Sequence, residues 1–341
     1  MRGRIANYIR RWAVLRDCPS AAESAAISIA SIAAVCLVWW LLTLGPVEKR
    51  IIDPITLPSL SETVKSFPRL WFDRALARSA VWSLGRVFGG FVLGGAVAVP
   101  LGILAGVFLR LHAFLKPLSI FGRNIPVAAL IPLTLMWFGL GEVQKVMFIF
   151  FASVAFVFFD SATAVQGVPN SYLDAAYTLG VKFSPKHGLK WAAVMGVVYG
   201  AAFAAMFLML VERPILSDAA LRASWSVNLV LMTALGFFLG GALWFPIVAF
   251  QAIRKVLFPL AMPDVVNSLR LLFGLAFGYI MLAEVINAEF GLGAIINISQ
   301  RQGPREHIYL SLLLIALLAF CIDRVILAFQ RRMFPYRQVG A

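Results

Sequence analysis

The chain has 341 residues, 61% apolar and only 13% charged, against about 25% charged in an average soluble domain. That balance excludes an ordinary soluble globular domain. The net charge of +14 does not mark a nucleic-acid tract, because Lys and Arg sit mostly at the ends of apolar runs, as the positive-inside rule predicts for a membrane-threaded chain.

In chain order, Arg2, Arg4, Arg10, Arg11 and Arg16 precede the first apolar run, 25–44, and place the N-terminal segment 1–24 in the cytosol. The run ends in Trp39-Trp40, an interfacial pair, where a signal peptide would carry small residues for cleavage. Residues 45–78 mix both charge signs and are expected outside. A second span, 80–109, leads to a short basic turn at 110–116. A third, 124–140, rises to Trp137, and a fourth, 146–165, returns with Asp160 near its inner end. The polar, basic stretch 170–190 is therefore cytosolic.

Spans five and six, 191–211 and 225–245, form a hairpin around 212–222. Residues 225–253 as one helix would measure about 44 Å, longer than a bilayer core of about 30 Å. Pro246 is thus the expected break, with 247–258 a separate cytosolic helix. Span seven is 265–285, residues 286–307 form an outer loop, and the last span is 308–322. Arg331, Arg332 and Arg337 keep the tail inside. The reading is an all-α membrane protein of about eight transmembrane helices with both termini cytosolic.

Glycine pairs four apart, Gly90/Gly94, Gly102/Gly106, Gly196/Gly200, Gly236/Gly240 and Gly274/Gly278, suit close helix contact where lipid offers no hydrophobic drive. Arg86, Asp160, Arg270, Glu284, Asp323 and Arg324 lie in or near spans; most can snorkel to a membrane face. Glu284 and Asp160 are the candidates for lining a translocation path. His112, His187 and His307 have no partner at triad or metal spacing, and Cys18, Cys36 and Cys321 are widely scattered, so no catalytic residue, metal or cofactor is expected. The chain also lacks a GxxxxGK[ST] phosphate loop, so any ATP hydrolysis belongs to a separate subunit.

One cytosolic segment names a family. Asp174-Ala175-Ala176-Tyr177-Thr178-Leu179-Gly180 resembles the loop signature of permeases in binding-protein-dependent ABC importers. Alanines give a short helix with a smooth face, and a glycine permits the turn that ends it. Leu57-Pro58-Ser59, Ser83-Leu84-Gly85-Arg86-Val87, Trp137-Phe138-Gly139-Leu140-Gly141-Glu142 and Ala283-Glu284 with Gly291-Leu292-Gly293 resemble the nitrate/sulfonate/taurine-type subfamily, in order. The signature's closing apolar-x-Leu-Pro step is matched by Val256-Leu257-Phe258-Pro259, with Phe258 where Leu is usual. Spans five and six stand between the two halves.

The resemblance implies a first part of a permease core at 57–186, an inserted hairpin at 187–250, a second part at 251–336 and a tail at 337–341. It implies that Asp174, Ala175, Ala176, Gly180, Val256 and Pro259 meet an ATPase dimer. It implies a second permease copy or paralogue, a periplasmic solute-binding protein, the bacterial inner membrane as location, and a small anion such as sulfonate, taurine, nitrate or bicarbonate as solute. The competing class, an ion-coupled secondary transporter, calls for midplane charges and repeated broken helices. An intramembrane enzyme calls for a nucleophile or metal cluster at depth.

Overall fold

A computed structural model describes residues 20–46, 50–211 and 225–336, and these are helical almost throughout. The N-terminal arginines 2–16, Cys18, Lys49, the hairpin turn 212–222 and Arg337 lie outside the described residues. Side-chain caps explain several helix starts. Ser20 and Glu23 cap each other at 3.2 and 3.0 Å and open α1 (Ala21–Leu42). Ser59 and Glu62 repeat the device at 3.2 and 2.9 Å and open α2 (Leu60–Lys65), followed by α3 (Phe67–Asp73). Trp39 Nε1 donates to the Pro58 carbonyl at 2.9 Å, which ties the Leu-Pro-Ser entry of α2 to the end of α1.

The bundle proper begins with α4 (Leu76–Val107) and continues through α5 (Leu109–Asn124), a 3-10 turn (Val127–Ala129), α6 (Leu130–Phe138) and α7 (Glu142–Gln166). Then come α8 (Asn170–Thr178), α9 (Pro185–Val211), α10 (Trp225–Ala249) and a π turn (Ile253–Leu257). The chain closes with α11 (Phe258–Asn287), α12 (Leu292–Gln302) and α13 (Arg305–Met333). Among the described residues, seven stretches are long and apolar enough to cross a membrane, or eight when the bent pair α5/α6 counts as one crossing.

Small residues set the two closest helix contacts. A methyl at Gly90, Gly102 or Gly106 of α4 would lie 2.5–2.6 Å from atoms of α7, so only glycine lets the two backbones meet. Around this seam Val87, Phe91, Phe148, Ile149, Phe277 and Ile280 of α4, α7 and α11 form the main core. Gly196, Gly236 and Gly240 do the same between α9 and α10, with clearances of 2.5–2.8 Å. The Gly274/Gly278 pair departs from expectation: among the described residues, a methyl at either would meet nothing within 4 Å beyond its own stretch of helix. These two glycines make no close helix contact inside this protomer.

Three element readings need correction. Residues 110–116 are no turn, because α5 carries the chain from Leu109 to Asn124. The third span is not one helix, since α5 and the Val127–Phe138 segment meet at 89°. Pro126 cannot donate to continue α5 and holds Ile125 extended (φ −67°, ψ 126°). Finally, α10 runs straight through Pro246 to Ala249, and no separate helix forms at 247–258. A proline costs the helix one donor, while its carbonyl still accepts from Phe250 N–H at 3.1 Å. The break comes at Phe250, whose backbone pairs with Phe183 as an antiparallel bridge. Ser184 N–H donates to the Ala249 carbonyl there at 2.8 Å. The two ends of the α9–α10 hairpin therefore meet.

Candidate coupling surface, buried charge network and helix-break cluster

Asn170–Thr178 is a nine-residue helix whose inner face carries Leu173 and buried Ala176, packed towards a core of Ile103, Val165, Ile253 and Leu257. Its outer face shows Tyr172 and Tyr177, and the turn after it leaves Leu179 85% exposed. Asp174 and Ala175 are also exposed. The helix ends as a Schellman turn: Val181 N–H donates to Ala176 O at 3.2 Å and Gly180 N–H to Tyr177 O at 3.0 Å. Gly180 sits at φ +74°, the left-handed conformation glycine adopts without strain, and a methyl there would meet nothing within 4 Å among the described residues. The π turn with Val256 contacts α8, and Pro259 follows it. The six residues assigned by resemblance are thus gathered at one end of the bundle, although the hairpin separates them in sequence.

Phe183 and Phe250 hold that junction. Their rings lie 4.9 Å apart, and Phe250 also meets Phe108, at the join of α4 and α5, edge-on at 5.9 Å. The hairpin leans on α4 through Tyr199, whose hydroxyl donates to the Ala96 carbonyl and accepts from Trp244 Nε1 at 3.3 Å.

Glu284 stands at the opposite end of α7 from α8, linked through Arg86 to Glu142. It is fully buried. Ser83 Oγ lies 2.7 and 2.8 Å from its two oxygens, Arg86 Nη1 donates to it at 2.6 Å, and Gly293 N–H at 2.9 Å. Arg86 also grips Glu142 at 2.5 and 2.9 Å and the Phe290 carbonyl at 2.7 Å, while Lys145 pairs with Glu142 at 3.0 Å. These groups join α4, α7, α11 and the start of α12. The glycines of the 291–293 motif follow from this network. A methyl at Gly291, φ +143°, would fall 2.5 Å from the Glu284 carboxyl, and one at Gly293 2.7 Å from its Cβ. Sequence reasoning singled out Arg86 and Glu284 but missed Glu142 and Lys145, which open α7 right after the Gly139 turn (φ 67°). Their signal was two opposite charges three residues apart at a helix start.

Asp160 lies elsewhere, half-buried on α7, with Ser268 of α11 and Arg123 of α5 as its polar neighbours. Arg123, in the last turn of α5, lays its guanidinium 3.6 Å from the centre of the Phe159 ring. Arg270 and Asp323 pair at 3.2 Å between α11 and α13.

Residues 247–335 match the family of binding-protein-dependent transport system inner membrane components. The match opens in the last turn of α10 and runs through α11, α12 and α13. Over that C-terminal segment the chain is similar to this family of permease components. A protein of Methanocaldococcus jannaschii described as an ABC transporter permease is 33% identical over 152 residues, covering 45% of this chain and 57% of that protein. The Escherichia coli taurine transport permease TauC is 23% identical over 315 residues, covering 91% of this chain and 89% of TauC. Among solved structures, an inward-facing form of the methionine ABC transporter MetNI superposes with a TM-score of 0.52 at 17% identity, covering 78% of this chain and 98% of that one. At that identity it shows a shared fold. The chain is accordingly a multi-pass inner membrane component, as this similarity and the seven candidate spans among the described residues indicate.

Proposed function

We propose that this permease is the membrane-spanning half of an ATP-driven importer, that it is moved by a separate ATPase dimer gripping α8, and that its solute is a small anion of the sulfonate, taurine, nitrate or bicarbonate kind. The observation carrying the coupling role is the exposed apolar tip Tyr172, Tyr177 and Leu179 on a helix backed by core at Ala176 and locked by Gly180. An 85% exposed leucine at the end of a membrane bundle fits a groove on a soluble partner better than water. Similarity to TauC over most of both chains supports the solute class.

A second permease copy completes the path, packing on α11 around Gly278, where Leu275 and Leu282 are exposed. A periplasmic binding protein delivers solute at the end opposite α8. The 184–249 hairpin is an insertion that leaves the coupling surface whole, supported by the pairing of Phe183 with Phe250. Of the two path candidates, Asp160 keeps that role; Glu284 instead clamps α11 to α4.

The test separates the two alanines. Ala175→Trp alters the exposed face and should abolish ATPase binding while the permease stays folded. Ala176→Trp should damage folding itself, since Ala176 is 5% exposed. Gly180→Val should uncouple transport from ATP hydrolysis at unchanged membrane abundance. Normal ATPase binding and uptake by Ala175→Trp would refute the assignment.

A further inference from the structure

Alongside the network at the Glu284 end, the bundle holds a second polar cluster, at the break between α5 and α6. Gly122 packs so closely on α7 that a methyl there would meet Ala155 at 2.7 Å, and Ser119 Oγ donates to the Ala155 carbonyl at 3.4 Å. Ala155 stands near the centre of Glu142–Gln166. The break at Ile125-Pro126 therefore lies about halfway along a membrane-length helix. Non-helical backbone at that depth is tolerated where it lines a water-filled cavity or is buried in protein, and in transporters such broken helices mark solute sites.

The side chains at the break carry charge. Arg123 lies against the Phe159 ring at 3.6 Å, and among the described residues its Nε has no hydrogen-bond partner and no carboxylate forms an ion pair with it. Asp160, the next residue on α7 after Phe159, has Ser268 and Arg123 as polar neighbours, and no ion pair joins it to Arg123 among the described residues. Both are half-buried in the single protomer, so each keeps an open side. Arg86, Glu142, Lys145 and Glu284 are by contrast joined to one another. A cation and an anion standing apart at membrane depth are costly against lipid and are found facing a water-filled cavity.

We infer that Arg123 and Asp160 form a split-charge contact on the wall of the translocation path, which takes a small solute bearing an anionic group for Arg123 and an ammonium or other hydrogen-bond donor for Asp160. The inference rests on the importer reading above and narrows its solute class, favouring an aminosulfonate or a hydroxylated anion over nitrate, which has no donor.

The path wall is tested without knowing the solute. Leu271, one turn from Ser268 on α11, is 58% exposed. Leu271→Cys, with Cys18, Cys36 and Cys321 replaced by Ser, is labelled in membranes containing the whole importer with an anionic and a cationic methanethiosulfonate of similar size. Arg123→Gln should lower the anionic-to-cationic rate ratio about tenfold and Asp160→Asn should raise it about tenfold, as expected for single charges acting at short range. Arg123→Lys should hold the wild-type ratio, which separates loss of charge from loss of fold. Taurine at high millimolar concentration should slow labelling more than ethanesulfonate, which lacks the ammonium. A cysteine unreactive to both reagents, a ratio indifferent to both substitutions, or equal protection by the two sulfonates overturns the inference. Co-purification of the ATPase subunit is read on the same membranes. If it persists while the ratios do not move, only the split-charge contact fails; if it is lost from the parent protein, the importer reading fails.

Discussion

Replacing Glu284 by Gln would leave Arg86 with one carboxylate in place of two at a site closed to water. Removing one partner of a buried ion pair costs about 3–5 kcal/mol. Glu284→Gln should therefore lower thermal stability in detergent sharply, whereas Ser83→Ala, which removes a neutral hydroxyl, should cost about 1–3 kcal/mol. Equal stability of Glu284→Gln and wild type would show that the clamp does not hold α11.

A second residue-scale prediction concerns pH. Arg50 grips Glu62 at 2.8 and 3.1 Å, and this hydrogen bonding holds the Glu62 carboxyl at about 2, below its ordinary 4.5. The pair's contribution is therefore complete above about 4.5 and is lost as pH falls towards 2. Glu62 is 40% exposed, so water screens the pair and the effect is modest. The stability gap between wild type and Glu62→Gln, followed by thermal unfolding, should narrow from pH 5 to pH 3; a constant gap would contradict it. At this scale, Gly180 was legible because its turn answers to its immediate neighbours. Arg123 was not, because it stood at the edge of what looked like a straight span, and only the bend at Pro126 turns that edge into mid-bundle.

Among elements, most helices were legible from apolar run length. Helix ends set by distant partners were not. The end of α10 is fixed by Phe183, which lies before the hairpin begins, and no local pattern around Pro246 reports it. The same contact makes a prediction. Since Phe183 and Phe250 already pair, removing 184–249 and joining them through two glycines should give a protein that inserts in the membrane and binds its ATPase. Loss of both would mean the α9–α10 pair is needed to build the bundle, through Tyr199 and its hold on α4.

For the molecule as a whole, the account describes a bundle clamped at one end by buried charge and presenting a short apolar helix at the other, with a broken helix between them. The composition made the membrane setting legible, and local motifs pointed to the family. The convergence of the π turn carrying Val256 on α8 across the hairpin needed the three-dimensional structure. The central claim is that α8 is the contact with an ATPase. A photo-crosslinking residue at Leu179, in cells expressing the whole importer, tests it most directly, with one at Leu41, exposed on α1, as the comparison. The account predicts an adduct with an ATP-binding cassette subunit from Leu179 and none from Leu41. No ATPase adduct at Leu179, or the same adducts from both positions, would contradict it.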